Sequence, residues 1–519
     1  MSLINVSNLT FAYEGSYDNI FEDVSFQIDT DWKLGFCGRN GRGKTTFLKL
    51  LMGEYEYSGN ISAGVTFEYF PYVVSDLTQN TEEIFDIIAP EAEPWQIFRE
   101  LSKLSVNEDV LYRPFSTLSN GEQTKVLLAG LFLRENSFLL IDEPTNHLDM
   151  AARKAVSEYL NSKSGFILVS HDRTFLDGCV DHILSINRAN IEIQSGNFSS
   201  WYHNKQMQDN YELAENERLR KDIKRLEKAA RQSSQWADKV ESAKMGKGAA
   251  KDRKKGLAGM GSKEYKAEQS KRMQQRRKNL ERRQHSAIDE KSGLLKNIDS
   301  ADSLKLSHEP YYANRLATLE NISIFYGDKE ACHDVSFTID KSDRIALRGK
   351  NGSGKSSIIK LICANGLCGT NVNSEASIDI DADTNFTYTG NLQVGSRLKI
   401  SYVSQDTSFL QGDLSDFAEL HGIDESLFKA ILRKLDFSRV QFEKDMQDFS
   451  GGQKKKVLIA KSLCEKSHLL IWDEPLNFID VISRIQIETL LSEYTPTILF
   501  VEHDKAFCDA VASKIIELE

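Results

Sequence analysis

The sequence predicts an α/β fold that occurs twice, as two tandem domains joined by a long α-helical hairpin linker. Short motifs recur in the same order in both halves, and apolar runs of strand length alternate with helical patterns inside each half. A strongly basic segment separates the halves. The predicted boundaries are a first domain at 1–204, a basic helical hairpin linker at 205–312 and a second domain at 313–519.

The composition is that of an ordinary soluble globular protein. The 519 residues include 65 Lys and Arg and 76 Asp and Glu, for a formal net charge of −11, and 40% of them are hydrophobic. These proportions exclude a disordered chain, and no apolar run approaches the roughly 18 residues that span a bilayer. The seven cysteines form no CxxC pair, which is typical of reduced thiols. We therefore expect a cytoplasmic protein.

The repeat is visible in four pairs of motifs. GRNGRGKTT from Gly38 corresponds to GKNGSGKSS from Gly349, and LSNGEQTKVLLA from Leu118 corresponds to FSGGQKKKVLIA from Phe449. FLLIDEPTNHLD then corresponds to LLIWDEPLNFID, and VSHD to VEHD. Because order and spacing agree, the two halves are predicted to be homologous domains.

Buried parallel strands are predicted from short, nearly continuous apolar runs, since helices cover both faces of such strands. The runs are 33–37, 138–141 and 165–169 in the first half, and 345–347, 468–472 and 497–501 in the second. Each half is therefore expected to hold a parallel sheet.

Two glycine-rich segments match the phosphate-binding pattern G-x-x-x-x-G-K-[ST]. The glycines let backbone N–H groups surround phosphates, the lysine reaches the β and γ phosphates, and the hydroxyl binds Mg²⁺. The following helix points its N-terminus at the anion. The residues assigned to nucleotide binding are Gly38, Asn40, Gly41, Gly43, Lys44, Thr45, Thr46, Gly349, Asn351, Gly352, Gly354, Lys355, Ser356 and Ser357.

An acidic pair ends a later apolar strand in each half, Asp142–Glu143 and Asp473–Glu474. The aspartate can hold Mg²⁺, and the glutamate can polarise a water for attack on the γ-phosphate. An isolated Asp-Glu-Pro string usually caps a helix, but the repeated upstream loops favour the catalytic interpretation. A histidine ends the next strand, where it can contact the γ-phosphate and position the water. These histidines are His171 and His503.

The order of these motifs resembles that of the ATP-binding-cassette ATPases, over about 400 residues in both halves. The most specific part is the signature, SNGE in the first half and SGGQ in the second. In that family two cassettes stack head to tail, and the signature of one covers the ATP held by the other. The resemblance implies two tandem ATP-binding-cassette P-loop domains that bind ATP and Mg²⁺ and hydrolyse ATP at both sites.

The resemblance also implies the composition of each site. One site combines Lys44, Thr45, Asp142, Glu143 and His171 with Ser450 and Gly452. The other combines Lys355, Ser356, Asp473, Glu474 and His503 with Ser119 and Gly121. The implied metal ligands are Thr45, Asp142, Ser356, Gln405 and Asp473.

The resemblance also implies residues that contact the adenine ring and the metal ion. Tyr13 and Tyr326 fall where the family stacks an aromatic ring on adenine. Gln405 occupies the Mg²⁺-sensing glutamine position, whereas the equivalent first-half residue is Tyr72. This departure puts Mg²⁺ coordination at the first site in question.

The segment between the halves has a charge opposite to that of the rest. Residues 218–283 contain 23 Lys and Arg and 8 Asp and Glu, a net charge of +15. By composition alone, a polyanion-binding element and a merely solvated hairpin are equally good interpretations. Helices are predicted at 205–243 and about 262–296, and the Gly-, Ala- and Lys-rich stretch between them predicts a mobile tip.

Two cassettes, a basic hairpin and no fused membrane domain resemble the F-subfamily of these ATPases, which act on the ribosome. In that subfamily the ATP-bound form enters the ribosomal E site, the linker reaches the peptidyl-transferase centre, and hydrolysis releases the protein. No sizeable arm is inserted in the first cassette, as in the members that protect ribosomes from lincosamides, pleuromutilins and streptogramin A. The implied partners are the 70S ribosome, with its 23S rRNA and P-site tRNA, and the implied chain is a monomer with an intramolecular cassette sandwich.

The linker tip is the least constrained part of this interpretation. The candidates for contact near the drug site are Lys244, Met245, Lys247, Leu257 and Met260. The alternatives are a housekeeping translation factor of the same subfamily, the ATPase subunit of a drug efflux pump and a DNA-repair ATPase.

Overall fold

A computed structural model describes residues 2–13, 19–145, 148–187, 190–251, 309, 311–350, 352–365, 367–368 and 386–518. The chain divides into two units. One holds both halves of the repeat, Met1–Trp201 and Ser303–Glu519, and the other is Tyr202–Asp302.

The first half alternates strands with helices as expected. Its strands are β1 (Leu3–Phe11), β2 (Phe21–Asp29), β3 (Lys33–Cys37), β4 (Ser58–Ser62), β5 (Thr66–Phe70), β6 (Ser137–Asp142), β7 (Phe166–Val169), β8 (His182–Asn187) and β9 (Asn190–Ser195). Its helices are α1 (Lys44–Leu51), α2 (Thr81–Ile88), α3 (Pro94–Lys103), α4 (Asn120–Leu131), α5 (Met150–Asn161) and α6 (Arg173–Cys179). Helix α7 (Phe198–Lys251) follows.

The second half repeats most of this order, with one additional short strand after its first helix. Its strands are β10 (Arg315–Tyr326), β11 (Lys329–Asp340), β12 (Arg344–Gly349), β13 (Leu367–Cys368), β14 (Thr387–Val394), β15 (Lys399–Val403), β16 (Leu469–Asp473), β17 (Ile498–Val501) and β18 (Lys514–Leu518). Its helices are α8 (Lys355–Asn365), α9 (Leu414–Leu420), α10 (Glu425–Lys434), α11 (Gly451–Cys464), α12 (Val481–Tyr494) and α13 (Lys505–Val511).

A largely parallel sheet forms the centre of each half, which confirms the α/β prediction. The strand order is β5-β6-β7-β3-β8-β9 in the first half and β13-β15-β16-β17-β12-β18 in the second. The pair β8–β9 is antiparallel, whereas the other described neighbours in these two sheets are parallel. The predicted apolar runs became the central strands, and β7 and β17 are buried along their whole length.

A second, antiparallel sheet in each half was not predicted. Its order is β2-β1-β4 in the first half and β11-β10-β14 in the second. Strand β1 contains a residue with positive φ, Asn8 (φ 51°), where the pairing register shifts, and β10 contains Asn321 (φ 52°) at the corresponding point. Such a bulge breaks the two-residue alternation of buried side chains, so the sequence pattern of these strands is not that of a regular strand.

The parallel sheets bring the predicted motifs to one edge. Strands β6, β7 and β3 are neighbours, so their carboxyl ends lie side by side. The first phosphate-binding loop follows β3, Asp142 ends β6, and His171 follows β7 by two residues. Ligands of open α/β sheets bind at this carboxyl edge, so the topology alone places the motifs together.

Helix α7 is longer than the predicted helix at 205–243. It begins at Phe198, where Asn197 Oδ1 accepts the backbone N–H of Ser200 at 3.1 Å, and it continues to Lys251. The predicted end near residue 243 was therefore wrong. Ala and Lys are strong helix formers, and each internal glycine costs only about 1 kcal/mol, so the helix extends into the stretch predicted as a mobile tip.

The predicted second linker helix lies outside the described residues. Within the part of the chain that the structure describes, no helix is both long enough and apolar enough to cross a membrane.

A buried carboxylate attaches α3 to the rest of the first half. The Glu100 side chain is fully buried; it is paired with Lys163 and lies 3.1 Å from Lys103 Nζ and 3.2 Å from Arg99 NH2. Burial alone would raise the pKa of Glu100, but hydrogen bonds from Lys163 and Tyr159 outweigh it and lower the pKa to about 2. The ionised form is therefore the one that folding stabilises.

We expect Glu100→Gln to lower the thermal unfolding midpoint at pH 7 by about 5 °C, because it removes the buried charge that pairs with the half-buried Lys163. Since the folded-state pKa is depressed, this stabilisation is complete above pH ~4.5 and is lost as the pH falls toward 2. The difference between the variant and the unmodified chain should therefore shrink in acid. Glu91→Gln, at an exposed position of the same region, is the matched control, and an equal effect of both changes would contradict the assignment.

Candidate active sites

The two phosphate-binding loops adopt a tight turn between a strand and a helix. In the first loop Gly41 and Gly43 have φ of 78° and 90°, and in the second Gly352 and Gly354 have 88° and 79°. A Cβ on Gly43 would lie 2.6 Å from Ile20 Cγ2, so this position requires glycine for space as well as for conformation. Asn351 lies outside the described residues.

A buried lysine closes each loop. Lys44 Nζ donates to Gly38 O at 2.7 Å and Lys355 Nζ donates to Gly349 O at 2.9 Å. Lys44 and Lys355 are 8% and 7% exposed. Burial lowers the pKa of both lysines, although nearby carboxylates oppose the shift. Each loop therefore presents a desolvated ammonium group.

Helix α1 begins without a side-chain cap. Its N-cap residue is Gly43, and its first turn contains no acidic residue. Its first backbone N–H groups are therefore available to an anion, and the helix dipole favours one there. This arrangement fits the phosphates of a nucleotide.

The predicted adenine-stacking tyrosines are tied to these helices. The Tyr13 and Thr46 hydroxyls are 2.7 Å apart, and the Tyr326 and Ser357 hydroxyls are 3.1 Å apart. Tyr13 is 44% exposed and Tyr326 is 38% exposed, so each ring has a face open for stacking.

The strand-end aspartates lie beside the loop hydroxyls. Thr45 Oγ1 donates to Asp142 Oδ2 at 2.9 Å, and Ser356 Oγ donates to Asp473 Oδ1 at 3.2 Å. Gln405 Nε2 also donates to Asp473 Oδ1, at 3.3 Å. Hydroxyl, carboxylate and amide oxygens are the ligands that Mg²⁺ prefers, so the donors present fit this ion.

The first site has a residue that the sequence analysis missed. Tyr69 Oη donates to Asp142 Oδ2 at 3.0 Å. Burial and the neighbouring Asp142 raise the pKa of Tyr69, so its hydroxyl keeps its proton and donates. The strand register aligns Tyr72 with Gln405, since Phe70 pairs with Ile141 as Val403 pairs with Trp472 and each residue follows two positions later. No motif singled out Tyr69, which lies inside a strand.

The candidate catalytic glutamates face the strand-end histidines. His171 Nε2 is 3.3 Å from Glu143 Oε1, and His503 Nε2 is 3.7 Å from Glu474 Oε1. Glu143 and Glu474 both have positive φ, 52° and 47°. Such strained backbone is common at functional sites.

The two glutamates differ in their electrostatic environment. Burial, with Asp142 beside it, raises the pKa of Glu143 to about 8. The contact with His503 lowers the pKa of Glu474 although burial opposes it, and Asn477 Nδ2 donates to Glu474 Oε2 at 2.7 Å. Asn477 was also missed, although it stands in the repeated acidic motif. The two copies of one motif therefore lie in different environments.

Each signature serine caps a helix that faces the other cassette. Ser119 Oγ accepts the backbone N–H of Glu122 at 3.3 Å at the start of α4, and Ser450 Oγ accepts that of Gln453 at 3.4 Å at the start of α11. A capping box fixes both turns. The exposed ends of α4 and α11 are thus held in place for a partner.

Each signature lines a cavity with the phosphate-binding loop of the other cassette. A cavity of about 280 Å³ is lined by Asn40, Gly41, Glu143, His171, Ser450, Gly451, Gly452 and Phe478. A cavity of about 1300 Å³ joins the first signature to the second loop, and its lining includes Ser119, Gly121, Tyr326, Lys355, Ser356, Gln405, Glu474 and His503. The smaller cavity thus brings Glu143 and His171 next to the second signature, and the larger cavity brings Lys355, Ser356, Glu474 and His503 next to the first signature. The other members of the two predicted sets do not line these cavities: Lys44, Thr45, Asp142 and Asp473.

The smaller site is closed by contacts between the cassettes. Asn40 Nδ2 donates to Phe478 O at 2.6 Å, and Arg173 NH2 is 2.5 Å from Glu488 Oε2. Arg39 is ion-paired with Asp436. Asn40 was assigned to phosphate binding, and it also bridges the two cassettes.

Known proteins are similar to this chain in sequence and in fold. The profile of the ABC transporter family matches residues 21–146 and 332–477, more than half of the chain. The chain belongs to this family. The ATP-binding protein Uup of Buchnera aphidicola is 27% identical to it, with 99% of this chain and 80% of Uup covered. The ribosome protection protein VmlR of Bacillus subtilis is 26% identical, with 99% and 86% covered.

A solved structure has the same tandem fold. The archaeal ribosome recycling factor aABCE1 superposes with a TM-score of 0.59 at 18% identity, over 98% of this chain and 87% of that one. The chain is therefore a tandem ABC ATPase that binds ATP and has homologues of the F-subfamily type.

Proposed function

We propose that this cassette ATPase binds the ribosome and confers antibiotic resistance by target protection. The observation that carries the proposal is the match to VmlR, a ribosome protection protein, because it runs through both cassettes and the region between them. The basic segment at 218–283 supports it, since a net charge of +15 suits the phosphates of ribosomal RNA.

We assign hydrolysis at each site to the side chains around the cavities. Lys44 and Lys355 neutralise phosphate charge from inside the loops. Glu143 and Glu474 take the proton of the attacking water, with His171 and His503 beside them to orient it. The loop hydroxyls and the strand-end aspartates would hold Mg²⁺, which would neutralise charge on the phosphate oxygens.

The signatures couple ATP binding to closure of the cassettes. Ser450 and Gly452 complete the site built on the first loop, and Ser119 and Gly121 complete the site built on the second. Because each site needs both cassettes, ATP favours the closed arrangement and its hydrolysis removes this preference. In the closed form the protein occupies the ribosomal E site, beside 23S rRNA and the P-site tRNA, in the cytoplasm.

The linker is the element proposed to reach the drug site. Helix α7 has 54 residues and is about 80 Å long at 1.5 Å per residue. Of the proposed tip residues, Lys244, Met245 and Lys247 fall within α7, whereas Leu257 and Met260 lie outside the described residues. We propose that this end of the linker displaces the bound antibiotic.

Expression in a drug-sensitive bacterium tests this function. We expect the minimal inhibitory concentrations of a lincosamide, a pleuromutilin and streptogramin A to rise at least fourfold, while drug accumulation in the cells stays unchanged. Glu143→Gln with Glu474→Gln is the matched control and should give no resistance. Unchanged sensitivity, with the protein bound to ribosomes, would favour the housekeeping translation factor, and lowered drug accumulation would favour an efflux ATPase.

A further inference from the structure

The two metal-binding aspartates are held by different side chains. Asp473 Oδ1 accepts from Ser356 Oγ and from Gln405 Nε2, at 3.2 and 3.3 Å. Asp142 Oδ2 accepts from Thr45 Oγ1 and from Tyr69 Oη, at 2.9 and 3.0 Å. The loop hydroxyl is common to both sites, but the second donor is an amide at one site and a phenol at the other.

The second donors also come from different parts of the fold. Gln405 lies two residues beyond β15, in the loop that follows the strand, and it lines the larger cavity. Tyr69 lies inside β5, paired in register with Leu140 of β6, and is therefore fixed by the sheet that carries Asp142. A residue in a loop can change partner on ligand binding, whereas a residue within a strand holds its partner in one orientation.

We propose that Tyr69 is the positioning residue for Asp142 at the first site, in the role that Gln405 has for Asp473 at the second. The proposal rests on the proposed role of Asp142 in holding Mg²⁺. Because Tyr69 and Thr45 both donate to Oδ2, the carboxylate is fixed on one side by two hydroxyls. The first site thereby has an aspartate fixed by two hydroxyls, whereas the aspartate of the second site is held by one hydroxyl and one amide.

Binding of Mn²⁺ in the presence of ATP, measured by electron paramagnetic resonance, tests the proposal. The measurement uses the full chain with Asp473→Asn, so that the remaining strong site is the first one. We expect Tyr69→Phe to weaken Mn²⁺ binding about tenfold, the loss that corresponds to one hydrogen bond to a charged group. The affinity for ATP without metal should not change, since Tyr69 is not assigned to the nucleotide.

Two further variants separate positioning from structural damage. Tyr72→Phe removes a neighbouring phenol and should leave Mn²⁺ binding unchanged, whereas Tyr69→Phe with Tyr72→Gln should recover much of the lost affinity by restoring the glutamine of the second site. Unchanged Mn²⁺ binding in Tyr69→Phe would overturn the proposal. The proposal would also be overturned if Tyr69→Phe weakened Mn²⁺ binding, lowered the thermal unfolding midpoint, and was not rescued by Tyr72→Gln.

Asp142→Asn in the same background distinguishes failure of this proposal from failure of the metal assignment. If Asp142→Asn abolishes Mn²⁺ binding and Tyr69→Phe leaves it intact, the role of Tyr69 is wrong. If neither change affects Mn²⁺ binding, the assignment of Asp142 as a metal ligand is wrong and the proposal falls with it.

Discussion

The double change Glu143→Gln and Glu474→Gln should reduce ATP hydrolysis by about 10²- to 10⁴-fold and leave ATP binding nearly unchanged. Glutamine has the shape of glutamate, but its amide cannot accept the proton of the attacking water, and general-base catalysis contributes this range. Phosphate release under steady-state conditions measures the first quantity, and equilibrium binding of a fluorescent ATP analogue measures the second.

The control for this pair is Glu135→Gln with Glu493→Gln, two exposed glutamates away from the cavities. This variant should hydrolyse ATP at the rate of the unmodified chain. If the variant with both Glu143→Gln and Glu474→Gln hydrolysed ATP at more than a tenth of the rate of the unmodified chain, Glu143 and Glu474 would not be the catalytic bases. The single changes show whether the two sites, with their different electrostatic environments, contribute equally.

The change Gly452→Ala should damage the protein far more than Gly121→Ala, although both glycines occupy the same position of the repeated signature. A Cβ on Gly452 would overlap the carbonyl oxygen of Phe478 and lie 2.9 Å from Asn40 Nδ2. That carbonyl accepts the hydrogen bond from Asn40 across the cassettes. A Cβ on Gly121 would meet Leu148 Cδ2 at 3.5 Å, an ordinary van der Waals contact.

Thermal unfolding without nucleotide compares the stability of the Gly452→Ala and Gly121→Ala variants apart from any effect on ATP binding. We expect Gly452→Ala to lower the midpoint by several degrees and to reduce ATP hydrolysis more than tenfold, because overpacking of this kind costs about 1–3 kcal/mol and opens the first site. Gly121→Ala should leave the nucleotide-free midpoint within about one degree of the unmodified chain. Equal losses of stability in the two variants would contradict the closed arrangement of the smaller cavity.

Much of this architecture could be predicted because its signals are local. The central strands are continuous apolar runs, and the phosphate-binding loops need glycine at positions such as Gly43, where φ is 90°. Once the motifs were assigned to the ends of neighbouring parallel strands, the convergence of Lys44, Asp142 and His171 followed from topology.

The rest depends on tertiary contacts that one sequence does not display. Tyr69 contacts Asp142 on the adjacent strand, although the two residues are 73 positions apart in the sequence. Asn40 contacts Phe478 in the other cassette, 438 positions away. The pKa values of Glu143 and Glu474 differ because burial and Asp142 act on the first, whereas a hydrogen bond with His503 acts on the second, and corresponding motifs do not reveal this difference. The antiparallel sheets were missed because the bulges at Asn8 and Asn321 interrupt the alternation of buried side chains.

Sedimentation of the Glu143→Gln and Glu474→Gln variant with 70S ribosomes, with and without ATP, tests the central claim most directly. We predict that the variant co-sediments with ribosomes when ATP is present and stays in the supernatant without it, because it forms the closed cassettes but cannot reopen them by hydrolysis. Absence from the ribosome pellet with ATP, while ATP binding itself is intact, would contradict the ribosome-bound function.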